Sequence, residues 1–325
     1  SNPGGYILYV YKPMKTYLGT EEGDSQPPNV TGLSPDNGEI VLTSNPTLTW
    51  SYLDPEGVPQ SHYQVYISST SDFSSIEDES GLVASDSNTY TTSSLSEGIW
   101  YWKVRVRDGI RWSQWYEGHF IADILPPIGT INIENTTGYT QSTSVSLNLS
   151  ASDICDVVEM RFSNNGIAWS PWVPYATSYT WDLVDPSYGG IDKDGIKYVY
   201  VEYKSLTGRV STSYSDSIIL DRGAPPSPSK PVGVKELSSR TEIPFKITFT
   251  WPSVTDELST TVQYLVDIID DTGVVIDSDQ TQETEYVFYP RAINTTYYAR
   301  VRALDIAGNI GGYSPLSDGV DIVLQ

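Results

Sequence analysis

The sequence is poor in cysteine, histidine and basic residues. Its 325 residues include one cysteine, Cys155, and two histidines, His62 and His119. A lone cysteine cannot form an intramolecular disulfide, so packing alone must hold each domain. Because no histidine lies near Cys155 in the sequence, we expect a half-buried cysteine at the end of a strand. Asp153 and Asp156 beside it leave a metal ligand or a nucleophile as the alternative.

Other absences exclude whole classes of function. The formal charge of −22 argues against nucleic-acid binding through phosphate neutralisation, and against docking onto an anionic membrane. No run of about 20 apolar residues occurs, which excludes membrane insertion by a helix. The sequence also lacks a Gly-rich phosphate loop, His-x-x-x-His, Gly-x-Ser-x-Gly and Cys-x-x-Cys. We therefore expect a protein that is not an enzyme and has no cofactor, with calcium as the one open possibility.

The start of the chain and its composition favour an exported protein. The chain begins at Ser1 rather than at a methionine or a leader, so we expect a mature chain or an excised segment. Low lysine content, abundant Ser, Thr and Tyr, and a single cysteine are typical of prokaryotic or viral surface proteins. The expected location is extracellular, on a cell or virion surface.

Paired prolines are the most regular feature that is present. The pairs Pro27-Pro28, Pro126-Pro127 and Pro225-Pro226 follow one another at intervals of 99 residues. Proline cannot donate a ladder hydrogen bond, so each pair marks a place where a sheet stops. The pairs predict an N-terminal strand-like extension and three domains, which are residues 1–25, 26–124, 125–224 and 225–325.

The three segments share two strand patterns. An early alternating strand occurs as "PTLTWSYLDPEG", "SVSLNLSASDICD" and "FKITFTWPSVTDE", and a late strand led by aromatic residues occurs as "GIWYWKVRVRDG", "GIKYVYVEYKSLTG" and "TTYYARVRALDIAGN". Alternation over 5 to 10 residues with turn signals between is typical of short strands in β-sandwiches.

These strands carry a resemblance to known modules. The first and third segments resemble fibronectin type III domains, through Trp50 and Trp251 in the early strand and the aromatic start of the late strand, where Tyr297 fits a tyrosine corner. The middle segment lacks the early Trp and resembles the immunoglobulin-like repeats of prokaryotic surface proteins and phage tail fibres. The resemblance implies an all-β fold of three tandem immunoglobulin-like (fibronectin type III-like) β-sandwiches with short Pro-Pro linkers. It implies no activity.

The string "WSQW" follows the late strand of the first segment and resembles the Trp-Ser-x-Trp-Ser box of cytokine receptors. Alternation places Lys103, Arg105 and Arg107 on one face of that strand. We expect Arg105 and Arg107 to intercalate with the rings of Trp112 and Trp115 in a structural cation–π ladder. An aromatic binding strip is the alternative.

A second string, "WSPW", opens the densest aromatic stretch of the chain. It follows the turn signal "NNG", and Tyr175, Tyr179 and Trp181 come close behind. Trp169, Trp172, Tyr175 and Trp181 form a candidate glycan-contact face, because flat sugar faces stack on aromatic rings. The alternative is that these rings fill the core in place of the missing early Trp.

Acidic groups are candidates for weak calcium sites. "DKDG" at Asp192 to Gly195 has half the spacing of an EF-hand loop. Asp267, Asp270 and Asp271 crowd negative charge near one end of the third segment, where the candidate is a weak interdomain calcium site. Solvated hairpin turns are the alternative for both. Four Asn-x-Ser/Thr sequons, which are possible N-glycosylation sites, occur at Asn29, Asn135, Asn148 and Asn294.

The predicted function is that of a non-enzymatic extracellular structural or adhesive protein, a rod-like spacer or display element of a cell surface, filament or virion appendage. Expected partners are other surface, filament or virion proteins, with a polysaccharide as a further possibility. Residues 6–14, "YILYVYKPM", are the end of a preceding domain, an added edge strand, or a strand donated to a neighbouring subunit for self-association. The competing functions are a carbohydrate-binding adhesion module and the accessory arm of an extracellular hydrolase.

Overall fold

The computed structural model describes residues 26–135, 137–237, 244–259, 262–292 and 294–323. Within these ranges the chain forms 24 β-strands and one short 3₁₀ helix, which confirms the predicted all-β class. The chain divides into two compact units between Leu125 and Pro126, inside the second Pro-Pro region. None of the helices in the described ranges is long and apolar enough to cross a membrane.

The first unit contains one β-sandwich. A three-stranded sheet in the order β1-β3-β7 shares a core with a larger sheet in the order β2-β9-β8-β4-β5, to which β6 adds through β4. Val104 and Val106 are fully buried on β8, so the predicted alternation of that strand is confirmed. The strands are β1 (Asn29–Ser34), β2 (Glu39–Val41), β3 (Thr47–Leu53), β4 (His62–Ser68), β5 (Asp78–Glu79), β6 (Val83–Ala84), β7 (Thr89–Thr91), β8 (Gly98–Arg107) and β9 (Tyr116–Ala122).

The second unit contains two sandwiches, and the predicted boundary at residues 224 and 225 lies inside it. The middle sandwich combines the sheet β10-β12-β15 with the sheet β11-β17-β16-β13-β14. Its elements are β10 (Ile128–Ile133), β11 (Tyr139–Thr140), β12 (Ser144–Ser152), β13 (Val157–Ser163), β14 (Val173–Pro174), β15 (Ser178–Asp182), the 3₁₀ helix (Pro186–Tyr188), β16 (Gly195–Ser205) and β17 (Tyr214–Leu220).

The third sandwich combines the sheet β18-β19-β22 with the sheet β21-β20-β23-β24. Its late strand begins with a tyrosine corner, because the hydroxyl of Tyr297 donates to the carbonyl of Ala292 at 3.1 Å. The predicted register of Tyr297 is therefore confirmed. The strands are β18 (Val232–Leu237), β19 (Pro244–Thr250), β20 (Val262–Ile269), β21 (Val275–Thr281), β22 (Glu285–Phe288), β23 (Thr295–Asp305) and β24 (Val320–Ile322).

The outer two of the three sandwiches build their cores around the early tryptophan. Trp50 meets Tyr63 edge to face with ring centroids 5.1 Å apart, and Trp251 meets Tyr264 in the same way at 5.5 Å. Such an arrangement suits the quadrupoles of two aromatic rings. Both tryptophans are about 4% exposed, so each is a central core residue as the sequence predicts.

The middle sandwich has a leucine in place of the early Trp. The backbone N–H of Leu149 donates to the carbonyl of Thr177, as those of Trp50 and Trp251 donate to Asn88 and Thr284, and Leu149 is buried in the core. Two residues later, Ala151 pairs with Gly129 across β10 and β12. The ring of fully buried Tyr203, from β16, packs against Gly129 and leaves no room there for a side chain. Tyr203 donates its hydroxyl to the carbonyl of Thr130 at 2.6 Å, and Tyr175 packs on its edge. Leucine thus stands in place of the missing Trp, and Tyr203 of the late strand fills the neighbouring space over Gly129.

Candidate functional site

The structure places the first predicted ladder on the outer face of β8. The guanidinium of Arg105 lies 4.7 Å from the ring centroids of both Trp112 and Trp115, and Arg107 lies 6.0 Å from Trp112. Lys103 extends the row, with its ammonium 5.3 Å from the ring of Trp115. Both tryptophans are half-buried. Each such contact contributes about 0.5 to 1 kcal/mol at an exposed site.

A serine fixes the rings over the strand. Ser113, inside "WSQW", donates its backbone N–H to the carbonyl of Val106 and accepts the N–H of Val106 on its hydroxyl. The hydroxyl therefore acts as a substitute backbone carbonyl, and the segment pairs with β8 although it is not a regular strand. The tryptophan before this serine then lies against the cations of β8.

The middle sandwich uses the same device on a different strand. Ser170 of "WSPW" exchanges the same two hydrogen bonds with Phe162 of β13. Arg161 lies 4.9 Å from the ring centroid of Trp169 and 4.6 Å from that of Trp172. The guanidinium also donates two hydrogen bonds to Glu202 at 2.6 and 2.8 Å. The facing sides of both tryptophans are therefore occupied by an ion-paired arginine.

The four candidate glycan residues do not form one exposed face. Trp181 is 6% exposed and packs on Phe162 in the core, so its assignment to an exposed ligand face is corrected. Tyr175 is half-buried and accepts the N–H of Ala151 on its hydroxyl at 3.0 Å. Of these four residues, Trp169 and Trp172 share Arg161 as a partner, whereas Trp181 lies on β15 with its side chain in the core.

A third ladder has no tryptophan, and the sequence analysis missed it. In "YSP", Ser314 exchanges the two hydrogen bonds with Val301 of β23. Arg300 and Arg302 lie 3.9 and 4.8 Å from the ring centroid of Tyr313. The signal that was available is an aromatic-Ser-x string following an Arg-containing alternating strand. Its presence in all three sandwiches marks the ladder as part of the architecture.

The predicted acidic groups are satisfied by the chain itself. Asp267 accepts two hydrogen bonds from Arg300 at 2.8 and 3.0 Å, one from Tyr313 and one from Ser278. Burial raises the pKa of Asp267, but these hydrogen bonds and the charge of Arg300 outweigh it, so the pKa lies below its usual value. Asp270 instead caps its own turn by accepting the N–H groups of Thr272 and Val274.

The "DKDG" string is likewise neutralised. Arg222 contacts Asp194 at 2.6 Å and Asp192 at 2.8 Å, at an exposed corner of the middle sandwich. The pKa of Asp194 is lowered, since the hydrogen bonds and charge of Arg222 exceed the opposing effect of burial. These carboxylates form an ion-pair group rather than an EF-hand loop.

The remaining predicted residues occupy separate positions. Cys155 is buried, and its backbone N–H donates to Asp153 at 3.0 Å. The four sequon asparagines, Asn29, Asn135, Asn148 and Asn294, are all exposed. The candidate donor segment, residues 6–14, and the whole predicted extension of residues 1–25 lie outside the described residues.

The joint inside the second unit is a set of direct contacts. Asn309 donates from its side chain to the carbonyl of Asp221 at 2.9 Å, and Gln141 donates to the carbonyl of Ala307 at 3.1 Å. A Cβ atom on Gly311 would lie 2.3 Å from the carbonyl oxygen of Pro225 in the linker. The linker therefore packs against the third sandwich so closely that only glycine fits at position 311.

The third sandwich also carries an open cavity of about 570 Å³. Its lining includes three carboxylates, three tyrosines and one arginine, which are Asp270, Asp271, Asp277, Tyr286, Tyr289, Tyr297 and Arg291. Tyr286 donates its hydroxyl to Asp277 at 2.8 Å, and burial followed by that hydrogen bond raises the pKa of Tyr286. A volume of this size is in the range of small-molecule sites. The sequence analysis did not identify it.

Comparison with known proteins matches part of the chain to a family. Residues 34–122 match the family model described as the Rha78A-like, N-terminal immunoglobulin domain. A search among curated proteins finds no match to this sequence.

Three solved structures show the range of structural likeness. The chicken CNTN1 FN1-FN3 domains are 15% identical, with 92% of this chain and 98% of that chain covered and a TM-score of 0.34. Domains A168-A170 from titin are 16% identical, with 92% and 100% covered and a TM-score of 0.39. The fibronectin(III)-like modules of Clostridium thermocellum CbhA are 15% identical, with 59% and 94% covered and a TM-score of 0.29.

The sheet orders, the tyrosine corner and the family match agree on the architecture. Each described core lies between a three-stranded sheet and a larger sheet, as in immunoglobulin-like sandwiches. The chain consists of tandem immunoglobulin-like and fibronectin type III-like β-sandwich repeats, the first of which matches the Rha78A-like N-terminal immunoglobulin family.

Proposed function

We propose that the chain is a non-enzymatic extracellular spacer, a rod-like structural or display element of a cell surface, filament or virion appendage. The observation that carries the proposal is the joint of the second unit. There, hydrogen bonds from Asn309 and Gln141 and the close packing of Gly311 on the linker tie two sandwiches into one compact unit. A spacer needs such joints, because a flexible linker would not hold its ends at a set separation.

The ladders support the same role. In each sandwich the aromatic-Ser-x segment covers cations on a strand of the larger sheet, at Arg105, Arg161 and Arg300. These contacts stiffen the sheet surface. They also place each cation against the ring face that is turned toward it, so that neither is available to a ligand. Modules of this fold are typically non-catalytic and commonly extracellular, which is consistent with a mechanical role.

Small-angle scattering of the full chain tests the proposal. An elongated particle is expected, with a maximum dimension on the order of 100 Å for three sandwiches of strand length in line. A compact globule would contradict the spacer. The variant Gly311→Ala should widen the distribution of particle dimensions, since its methyl group meets a backbone carbonyl. Gly312→Ala is the matched control, because its methyl group meets only the movable hydroxyl of Ser227.

A second candidate is a carbohydrate-binding module or the accessory arm of an extracellular hydrolase. Two observations favour it. The family model that matches residues 34–122 is described as a Rha78A-like, N-terminal immunoglobulin domain. The cavity of about 570 Å³ offers a tyrosine, Tyr289, that is 60% exposed beside the carboxylates Asp270 and Asp277. Such a cavity suits a sugar better than the rings of Trp169 and Trp172, whose facing sides stack on Arg161.

Polysaccharide pull-down and glycan-array binding with the full chain separate the two candidates. The spacer predicts no binding above background. Binding that is lost in Tyr289→Ala and kept in Tyr198→Ala, an exposed tyrosine of the middle sandwich, would establish the second candidate. Loss in Trp172→Ala instead would locate the ligand on the middle ladder.

We also propose that the partners are other surface, filament or virion proteins, with self-association through residues 6–14. Strand donation predicts that the purified chain polymerises and that deleting residues 6–14 leaves it monomeric. A full chain that stays monomeric at high concentration in analytical ultracentrifugation would contradict self-association.

A further inference from the structure

Three carboxylates that are distant in the sequence meet at the joint of the second unit. Asp221 follows the last strand of the middle sandwich, Asp256 lies in the loop before β20, and Asp305 ends β23. One oxygen from each carboxylate lies within 4.8 Å of the oxygens of the other two. Asp221 is 1% exposed and Asp305 is 4% exposed. Three like charges are therefore held together with little access to solvent.

One buried oxygen of this group has no hydrogen-bond donor among the described residues. Asp305 accepts hydrogen bonds from the backbone and side-chain N–H groups of Asn309. Asp256 accepts hydrogen bonds from the backbone N–H groups of Leu258 and Ser259. The Oδ1 atom of Asp221 accepts a hydrogen bond from the backbone N–H of Gly223, whereas its Oδ2 atom is buried without a hydrogen-bond partner. Buried polar atoms in folded proteins nearly always have partners, because an unsatisfied buried acceptor destabilises the fold. Asp221 therefore brings to the group a carboxylate that is 1% exposed and has one oxygen without a donor.

The surroundings provide space but no compensating charge. A cavity of about 320 Å³ borders the group, and Asp194, Asp221, Asp256 and Glu257 line it. None of its lining residues in the described part of the chain is basic. Arg222, adjacent to Asp221 in the sequence, is engaged by Asp192 and Asp194. Burial and the neighbouring carboxylates of Asp256, Asp305 and Asp194 raise the pKa of Asp221, as expected for a carboxylate without a cation.

The ligand chemistry of the group favours one kind of cation. Three points that are mutually within 4.8 Å share a centre no farther than about 2.8 Å from each of them. Calcium binds six to eight oxygens at about 2.3 to 2.6 Å in flexible geometry, whereas magnesium requires a near-ideal octahedron at about 2.0 to 2.1 Å. The group offers only oxygen, which disfavours metals that prefer nitrogen or sulfur.

We propose that the carboxylates of Asp221, Asp256 and Asp305 bind a calcium ion at the joint of the second unit. The ion receives one oxygen from the middle sandwich and two from the third, and waters in the adjoining cavity complete its coordination. It neutralises the mutual repulsion of the carboxylates and connects the two sandwiches through a common centre. Calcium therefore stabilises the joint, since the three ligands come together only in the folded unit.

Isothermal titration of calcium chloride into the metal-free full chain tests the proposal. We expect one site with a dissociation constant of about 1 mM or tighter, as in extracellular modules. Asp221→Asn should weaken binding at least about tenfold, because a neutral amide replaces the unpartnered oxygen. Asp271→Asn is the matched control, since it removes an exposed charge from the third sandwich and should leave affinity unchanged.

Three results would overturn the proposal. These are the absence of calcium binding up to about 10 mM, affinity in Asp221→Asn equal to that of the unmodified chain, and magnesium binding as tight as calcium binding. If Asp221→Asn does not fold, Asp256→Asn provides the same test, because its remaining oxygen can still accept the N–H groups of Leu258 and Ser259. The thermal midpoint should rise with calcium in the unmodified chain and in Asp271→Asn, but not in Asp221→Asn or Asp256→Asn.

Discussion

The second unit contains two acidic centres with opposite arrangements. Asp267 lies on β20 and accepts four hydrogen bonds, two of them from Arg300. Asp221 lies at the joint with one of its oxygens buried and without a donor. The first centre carries its cation in the fold, and the second has room for one from solution. A dense run of acidic residues therefore does not identify a cation site, because Asp267 is satisfied by the chain itself. The joint differs because three carboxylates converge there and one of them has a buried oxygen without a donor.

The largest effect is expected from removing the internal cation. Arg300→Ala leaves Asp267, whose side chain is 16% exposed, with only the hydroxyls of Tyr313 and Ser278. We expect a loss of about 1 to 3 kcal/mol in the free energy of unfolding, since a partly buried carboxylate loses its charged partner. Urea unfolding of the full chain measures it. Arg302→Ala is the control, because Arg302 stacks on the same ring of Tyr313, and an equal loss there would assign the effect to the ring contact.

The pH dependence should separate the two centres by sign. The folded-state pKa of Asp267 is lowered, so its ionised form adds stability that is complete above the unfolded pKa of about 3.9 and is lost as the pH falls through the folded value. The folded-state pKa of Asp221 is raised by burial and by Asp256, Asp305 and Asp194, so its ionised form lowers stability at neutral pH. That cost disappears as the pH falls toward about 3.9.

Two asparagine variants measure this contrast in the presence of EDTA. At about pH 7, Asp267→Asn should be less stable than the unmodified chain. The difference in stability between the two should narrow only below about pH 4. Asp221→Asn should be more stable at neutral pH, and its gain should shrink as the pH falls to about 4. Unfolding midpoints across this range provide the test. A destabilised Asp221→Asn at neutral pH would show that its carboxylate is not under repulsion.

The smallest effect is expected at the exposed ion-pair group. Arg222→Ala removes the ion-pair partner of Asp192 and Asp194. The side chain of Arg222 is 39% exposed. Exposed pairs contribute only about 0.2 to 1 kcal/mol. The free energy of unfolding measured in urea should therefore change by no more than that amount, and by less at high salt. A loss as large as that of Arg300→Ala would mean that Arg222 also stabilises the joint.

Local alternation made much of the fold predictable. Val104 and Val106 point inward and Lys103, Arg105 and Arg107 outward because successive side chains of a strand alternate, and this can be read within ten residues. The prediction for Tyr297 came from the resemblance to fibronectin type III domains. Tyr203 is in phase with buried Val199 and Val201 of β16, so alternation predicts its burial, whereas its contact with Gly129 depends on a strand that is distant in the sequence. Trp181 was assigned to a surface because aromatic density says nothing about which side of a sheet a ring faces.

The acidic centre at the joint could not be predicted from sequence spacing. Asp221, Asp256 and Asp305 are 35 and 49 residues apart, and they meet only because the ends of two strands and one loop converge at the joint. Asp267, Asp270 and Asp271 are close in the sequence, yet their hydrogen bonds run to different partners. The third ladder was missed because Tyr313 replaces the tryptophan that marks the other two.

The joint of the second unit should act as a calcium-stabilised connection within a spacer. Double electron–electron resonance between spin labels at Ser217 and Glu283, both exposed, in a Cys155→Ser background of the full chain measures it. With calcium at about 1 mM we predict a single narrow distance distribution, which broadens in EDTA and stays broad in Asp221→Asn under both conditions. If the labelled chain that keeps Asp221 gave equally wide distance distributions with calcium and with EDTA, a calcium-stabilised joint would be contradicted.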